Sequence, residues 1–253
     1  PVEVLHGVSL SVAPGETLGL VGESGSGKTT IGRAVLGLVT PSGGDIRFDG
    51  TSIARISARD RRRLSRDIQV VFQDPYTSLN PSMTVGDILA EPLVIQGATA
   101  KDARSRVRTL LDQVGLPSDA IERLPREFSG GQRQRVAIAR ALAPEPRLIV
   151  CDEPVSALDL STQARVLDLF VEIQRATGVA YLFVSHDLSV VRHISHRVAV
   201  LYRGDLVETG SAEHVTSSPD HPYTQKLLLA APVADPARQR ERRLERRRLM
   251  EAS

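Results

Sequence analysis

The sequence predicts an α/β fold: a mainly parallel sheet with an inserted helical lobe and a small antiparallel β lobe. Runs 147–151 (RLIVC) and 180–184 (AYLFV) are apolar almost throughout, which is typical of strands covered on both faces. The block 76–144 is mostly helical, whereas strand-like runs precede and follow it. A helical lobe inserted into a sheet domain is the simplest arrangement that satisfies this order.

Five further runs have strand character. They are 4–12, 17–21, 45–48, 68–72 and 197–202. The first and third alternate apolar and polar residues beside Gly, which indicates the antiparallel lobe. The RGD segment at 203–205 predicts a hairpin turn that leads from 197–202 into a last strand at 206–208.

Helical periodicity fills the intervals between the strands. Helices are predicted at 28–38, 84–95, 100–114, 130–142, 161–176 and 187–194. Thr84 with Asp87, and Thr99 with Asp102, have capping-box spacing and predict two of the helix starts. The basic run 59–66 predicts the solvated face of a short helix. The predicted units are a core at 1–75 and 145–215, a helical subdomain at 76–144 and a C-terminal extension at 216–253.

Composition limits the classes of partner. Aromatic residues make up 4% of the 253 residues and Trp is absent, which argues against a stacking surface for single-stranded nucleic acid. Cys151 is the only cysteine, so no internal disulfide can form, and it is expected to be a small buried hydrophobe. No apolar run reaches the ~18 residues of a spanning helix.

The net charge of +2 is unevenly distributed. Residues 238–253 contain seven Arg and three Glu, which leaves residues 1–237 with a charge of −2. The favoured interpretation of this tail is a solvated segment, and contact with anionic lipid or an acidic partner is the alternative.

The segment 22–29 (GESGSGKT) matches GxxxxGK[ST], the phosphate-binding loop or P-loop. It follows an apolar run and precedes a helical pattern, which is the context that the motif requires. Lys28 is expected to reach the β- and γ-phosphates of ATP, and the Thr29 hydroxyl to bind Mg²⁺. The fold class is therefore a P-loop NTPase with a RecA-like core. The expected nucleotide-binding residues here are Gly22, Glu23, Ser24, Gly25, Ser26, Gly27, Lys28, Thr29 and Thr30.

Polar residues follow three of the predicted strands. Asp152 and Glu153 follow one, Gln73 another and His186 a third. Beside a P-loop, Asp152 suits the Mg²⁺ shell, and Glu153 can polarise an attacking water. Gln73 is expected to contact Mg²⁺ or that water, and His186 the γ-phosphate.

A second anion-binding pattern lies in the stretch 127–142 (EFSGGQRQRVAIARAL). Ser129, Gly130 and Gly131 open a predicted helix, and the amides at a helix N-terminus attract anions. The chain thus carries two phosphate-binding patterns about a hundred residues apart.

The chain resembles the ATP-binding subunits of ABC transporters over essentially its whole length. The motifs that carry the resemblance are GESGSGKT, Gln73, FSGGQ (128–132), LIVCDEP (148–154), SALD (156–159) and His186, in that order. Phe128 stands where this family usually has Leu. The segments 73–93, 151–159 and 221–232 (HPYTQKLLLAAP) are similar to the dipeptide/oligopeptide importer branch, which includes nickel and glutathione importers.

The resemblance implies a head-to-tail dimer of ATPase domains with ATP between them. One half of each site would contain the catalytic residues Lys28, Gln73, Glu153 and His186 and the metal ligands Thr29, Gln73 and Asp152. Residues Ser129, Gly130, Gly131 and Gln132 would complete the partner's site, and Asp159 would cross the interface. The partner domain is either a separate chain or a preceding half of the same polypeptide.

Further implied partners are two transmembrane permease subunits and, indirectly, an extracytoplasmic substrate-binding protein. The implied location is the cytoplasmic face of the membrane, with no nucleic-acid partner. Many members of this branch bind an iron–sulfur cluster through a Cys-rich segment, but residues 233–253 contain no Cys and can supply no such ligand. The family also stacks adenine on an aromatic residue before the first strand. No aromatic precedes His6, so that residue lies before Pro1 or adenine is bound differently.

Two alternatives stay open at this stage. The same ATPase fold also serves in DNA maintenance and on ribosomes, where a long coiled coil between P-loop and signature motif, or a charged helical linker between two domains, is common. Gly22 and Ser129 are only 107 residues apart, with no sustained heptads, and the 221–232 segment also favours the importer. A non-hydrolysing half is disfavoured because all four residues expected to act in hydrolysis are present: Lys28, Asp152, Glu153 and His186. The cargo itself cannot be derived from this chain.

Overall fold

The structure, a computed structural model, describes residues 3–230, and its elements follow the predicted order. They are β1 (Thr17–Val21), α1 (Lys28–Val35), β2 (Arg47–Phe48), β3 (Thr51–Ser52), α2 (Ala58–Leu64), β4 (Ile68–Val71), α3 (Pro75–Ser78), α4 (Val85–Ile95), α5 (Ala100–Gln113), two 3₁₀ turns (Ser118–Glu122 and Pro125–Glu127), α6 (Gly130–Leu142), β5 (Leu148–Asp152), α7 (Leu160–Thr177), β6 (Ala180–Ser185), α8 (Leu188–Ile194), β7 (Arg197–Tyr202), β8 (Asp205–Ser211), α9 (Ala212–Ser217) and α10 (Pro222–Ala230). The predicted basic tail lies outside the described residues.

Six strands form one sheet in the order β4-β5-β6-β1-β7-β8. All neighbours from β4 to β7 are parallel, whereas β8 pairs antiparallel with β7. The hairpin turn predicted at 203–205 is present, and only residues 203 and 204 separate the two strands. The predicted α/β fold class is therefore confirmed. Because the carboxyl ends of parallel strands meet at one edge, the segments after β1, β4, β5 and β6 converge there.

The predicted strand over 4–12 is wrong, because the structure has no strand there. Its alternating residues Leu5, Leu10 and Val12 pack on a buried cluster instead, and the backbone is bent at Gly7, where φ is +60°. The alternation of apolar and polar residues over 4–12 therefore reflects contact with this cluster and not strand pairing. The separate antiparallel sheet is correspondingly small, with two residues in each of β2 and β3.

Side-chain caps explain where the helices α4 and α5 begin. The Thr84 hydroxyl accepts the Asp87 amide at 3.1 Å, and Thr99 accepts the Asp102 amide at 3.2 Å, as the sequence predicts. The connector after β4 contains one helical turn, α3, because Asp74 caps the segment that begins with Pro75. The predicted domain boundaries stay a prediction.

Apolar side chains cover both faces of the sheet. One cluster joins the sheet to the helical block: Phe170 of α7 makes edge contacts with Tyr181 and Phe183 of β6, with ring centroids 5.4 and 5.7 Å apart. The other cluster lies against α1 and the N-terminal segment, and it includes Leu18 and Leu20 of β1. Within residues 3–230, no helix combines the length and apolar character that crossing a bilayer requires.

Candidate nucleotide-binding site

The P-loop lies between β1 and α1 at the carboxyl edge of the sheet. Lys28 is only 4% exposed, and its Nζ donates to the carbonyl oxygens of Gly22 at 2.7 Å and Glu23 at 2.8 Å. Burial lowers the pKa of Lys28, although Glu153, Asp152 and Glu23 oppose that shift. Since its direct partners are neutral carbonyls, the ammonium can transfer to a more strongly accepting phosphate oxygen.

Two glycines of the loop are required by the rest of the chain. A Cβ on Gly22 would lie 2.1 Å from the carbonyl oxygen of Leu201 in β7. A Cβ on Gly27, whose φ is +106°, would lie 2.5 Å from Cδ2 of Leu5. In the sequence these glycines are positions of the P-loop motif, and the structure adds close contacts from β7 and the N-terminal segment.

Thr29 and Asp152 bring together the oxygen atoms of a cation site. The Thr29 hydroxyl donates to Oδ1 of Asp152 at 3.1 Å. Burial raises the pKa of Asp152, the hydrogen bond from Thr29 opposes that rise, and Glu153 adds to it. A half-buried hydroxyl and carboxylate beside a phosphate loop are the hard oxygen donors that Mg²⁺ prefers. The residues present therefore fit this ion.

Glu153 and His186 form a pair at the same edge. Oε2 of Glu153 lies 3.0 Å from Nδ1 of His186, and the Glu153 side chain is 18% exposed. Glu153 has a φ of +47°, which is a strained conformation for a residue other than Gly. Its amide donates to the carbonyl of Val184 at 3.0 Å and its carbonyl accepts the Ser156 hydroxyl at 3.0 Å, so the surrounding chain stabilises this conformation.

Gln73 also lies at this edge. It is exposed and follows β4, the strand paired with β5, which ends at Asp152. Cys151 is fully buried in β5, and burial raises the pKa of its thiol well above the usual range, which agrees with its predicted role as a buried hydrophobe.

The second anion-binding pattern is the capped start of α6. The Ser129 hydroxyl accepts the Gln132 amide at 3.4 Å, and Oε1 of Gln132 accepts the Ser129 amide at 3.0 Å. A Cβ on Gly131 would lie 2.3 Å from Cγ2 of Thr162 in α7, whereas Gly130 has no neighbour closer than 3.6 Å. Within residues 3–230, no hydrogen bond joins this helix start to the P-loop.

Asp159 caps the helix that packs on Gly131. Its Oδ1 accepts the amides of Ser161 at 3.1 Å and Thr162 at 3.0 Å, and also the Ser161 hydroxyl at 2.7 Å. Hydrogen bonds from Ser161, and to a smaller extent from Thr162, hold the pKa of Asp159 well below its usual range. The residue is exposed, as a contact across an interface requires.

One contact to the P-loop was missed by the sequence reasoning. The Glu23 amide donates to the Tyr223 hydroxyl at 2.9 Å, although the two residues are 200 positions apart. Tyr223 lies in the HPYT segment, which the sequence analysis used as a family feature only. No short-range pattern signals a contact over that distance.

Comparison with protein-family models identifies the family of this chain. The model described as ABC transporter matches residues 5–156, and that described as oligopeptide/dipeptide transporter, C-terminal region, matches residues 207–252. The chain belongs to the ABC transporter family. The second match confirms the resemblance to the dipeptide/oligopeptide branch and disfavours the non-transport alternative.

Curated relatives point to the same branch. The chain is 54% identical over 244 residues to the glutathione import ATP-binding protein GsiA of Escherichia coli K12 and to that of Shigella boydii serotype 4. These matches cover 96% of this chain but 39% of each relative, so the chain spans about two fifths of their length.

Solved structures of the family share the fold. cbiO1 from Clostridium perfringens, part of the ABC transporter complex cbiONQ, aligns with a TM-score of 0.79 and 29% identity over 85% of this chain and 84% of its own. The ATP-binding cassette MJ0796, a dimer bound to ADP and phosphate after hydrolysis, aligns with a TM-score of 0.74 and 30% identity. The alignment covers 83% of this chain and 90% of that cassette.

Proposed function

We propose that this chain is the ATP-hydrolysing, nucleotide-binding part of an ABC importer for dipeptides or oligopeptides. The observation that carries the proposal is the Glu153–His186 pair, 3.0 Å apart, at the sheet edge where the P-loop lies. Similarity to the glutathione import proteins and to the oligopeptide/dipeptide C-terminal region supports the peptide class of cargo. Glutathione is itself a tripeptide.

Each residue at the edge has a role that its position supports. Lys28 exchanges its two carbonyl partners for phosphate oxygens when ATP binds. Glu153 accepts a proton from the attacking water, while His186 orients its carboxylate and lies ready for the γ-phosphate. Thr29, Asp152 and Gln73 would hold Mg²⁺, which neutralises phosphate charge when bound.

The start of α6 serves a second ATP-binding domain in this proposal. Ser129 and Gln132 cap each other and make no hydrogen bond to the P-loop of the described chain, which leaves the amides of Gly130 and Gly131 at the helix start for the γ-phosphate of a partner. The exposed Asp159 would contact that partner. ATP then joins the two domains head to tail, and hydrolysis releases them.

Two transmembrane permease subunits complete the proposed importer, with a substrate-binding protein outside the membrane. Tyr76 in the connector is 57% exposed and Ile95 at the end of α4 is 71% exposed, which provides apolar surface for a permease contact. The chain would then lie on the cytoplasmic face of the membrane as a peripheral subunit.

The Glu153→Gln variant tests the assignment of the general base. Hydrolysis should fall by about 100-fold or more, because a general base contributes ~10²–10⁴-fold, while ATP binding persists. ATP should then trap a closed dimer, measured by light scattering beside phosphate release. The exposed Glu172→Gln in α7 is the charge-matched control. Hydrolysis at the parental rate in Glu153→Gln would remove Glu153 from this role.

A further inference from the structure

The C-terminal HPYT segment, residues 221–224, packs against the P-loop through one side chain. Tyr223 is 9% exposed, and its hydroxyl oxygen accepts the Glu23 amide hydrogen at 2.9 Å. This contact joins the region that matches the oligopeptide/dipeptide transporter C-terminal model to the loop that binds phosphate. The proposed reaction makes no use of it.

Tyr223 and Lys28 bind the same peptide unit from opposite ends. The peptide between Gly22 and Glu23 donates its N–H to the Tyr223 hydroxyl, and its carbonyl oxygen accepts Nζ of Lys28 at 2.7 Å. The orientation of that peptide therefore determines where the lysine ammonium lies before a nucleotide arrives. Without Tyr223, only the Lys28 end of the unit would retain a side-chain partner.

The position of the Tyr223 hydroxyl is itself determined by the end of the sheet. Its ring packs against Tyr202 of β7, with centroids 4.2 Å apart. Ahead of α10, the Glu208 carboxylate in β8 accepts the amides of Asp220 at 2.9 Å and His221 at 3.2 Å. The HPYT segment is thus attached to β7 and β8, and its tyrosine reaches across to the P-loop.

A neighbouring turn adds a second link between the same elements. The Gly204 amide, in the turn between β7 and β8, donates to the carbonyl of Ser26 at 3.1 Å. The P-loop is therefore attached to the β7–β8 turn near its C-terminal end, at Ser26, and to Tyr223 near its N-terminal end, at Glu23. Loss of the Tyr223 hydroxyl would release the loop at Glu23, while the bond at Ser26 would still hold its other end.

We propose that Tyr223 is a positioning residue for ATP binding, which acts by ordering the Gly22–Glu23 peptide before the nucleotide arrives. This inference rests on the proposed role of the P-loop. A loop that is already ordered loses less conformational entropy on binding, so its affinity for ATP is higher. Once ATP is bound, the hydrogen bonds from the loop amides to its phosphates order the loop in either case, and the chemical step is unchanged.

The Tyr223→Phe variant isolates the hydroxyl, because the ring and its contact with Tyr202 are retained. The dissociation constant and KM for ATP should rise about five- to tenfold, as expected for a loop amide that loses its acceptor. The kcat should stay within about twofold, since the change is confined to ordering before binding. Tyr202→Phe is the matched control, because it removes the hydroxyl of the other ring of the same pair and leaves the bond between Tyr223 and the Glu23 amide in place.

The experiment measures ATP binding at equilibrium, and KM and kcat for hydrolysis, in the full polypeptide carrying each substitution. Weaker binding in Tyr223→Phe alone, with kcat retained, supports the proposal. An unchanged KM with a lower kcat would indicate misfolded protein and overturn it, as would equal affinities in all three proteins. Absence of ATP binding in the unsubstituted protein would overturn the proposed function as well, so the two failures are distinguishable.

Discussion

The two elements that we propose to bind phosphate, the P-loop and the start of α6, are built in different ways. In the P-loop, Ser26, Gly27 and Lys28 are buried, and β7, the N-terminal segment and the HPYT segment all contact the loop. At the start of α6, Ser129 is exposed, and within residues 3–230 its side chain bonds only the first turn of that helix. The first element is completed within its own chain, whereas the second is presented at the surface. The difference favours a site shared between two domains.

The Ser129→Arg variant makes the strongest test of that difference. A bulky cation at the start of α6 should block the approach of another domain's γ-phosphate and lower hydrolysis by about 100-fold or more, the range seen when such donors are lost. ATP binding to the variant's own P-loop should persist. Mixed dimers with one altered domain, assayed site by site, measure which P-loop loses activity.

The matched variant for this comparison is Lys28→Ala, which removes the cation that binds two loop carbonyls. It should abolish binding at its own P-loop and spare the site on the other domain. If Ser129→Arg instead inactivated only the P-loop of its own chain, the proposal that the start of α6 serves the P-loop of another domain would be wrong.

Gly22→Ala should show how firmly the P-loop is enclosed. Its Cβ would lie 2.1 Å from a backbone carbonyl at Leu201, which no side-chain rotation can relieve. We expect the free energy of unfolding to fall by about 2–4 kcal/mol, from overpacking and backbone strain together. Urea denaturation of both proteins measures it.

Gly25→Ala is the control within the same loop. Gly25 also has a positive φ, +81°, but a Cβ there meets nothing within 4 Å. Only backbone strain applies, and the loss should be about 1–2 kcal/mol. Equal losses for the two variants would mean that contact with β7 contributes nothing.

Gly131→Ala should have the smallest effect of the series. Its Cβ would lie 2.3 Å from Cγ2 of Thr162, a side-chain atom that can shift. The expected loss is about 1 kcal/mol of unfolding free energy, at the lower end for overpacking. Adding Thr162→Ser removes that methyl group and should recover most of the loss in the same urea titration. Failure of the double variant to recover would show that the strain lies in the α6 backbone.

Much of the fold could be predicted because it depends on local patterns. The apolar runs became β5, β6 and β7, and Thr84 and Thr99 cap helices as their spacing predicts. The edge residues Asp152, Glu153 and His186 could be placed because they directly follow such strands.

What could not be predicted depends on partners distant in sequence. The alternation at 4–12 indicates a strand, but the segment makes its contacts with a buried cluster instead of a neighbouring strand. The Glu23–Tyr223 bond spans 200 positions and has no periodic signal. Likewise, the need for Gly131 arises from Thr162, which only the packing of two helices brings close.

The central position of β1 has a consequence for the order in which the protein can fold. Thr17–Val21 is fully buried between β6 and β7, both of which are synthesised much later. At ~5–20 residues per second, the delay of about 160 residues before β6 corresponds to roughly 8–32 s on the ribosome. During that time the nascent chain carries an apolar strand with neither sheet neighbour available. The phosphate loop is thus made well before the two strands that enclose β1, and it can take its final form only after them.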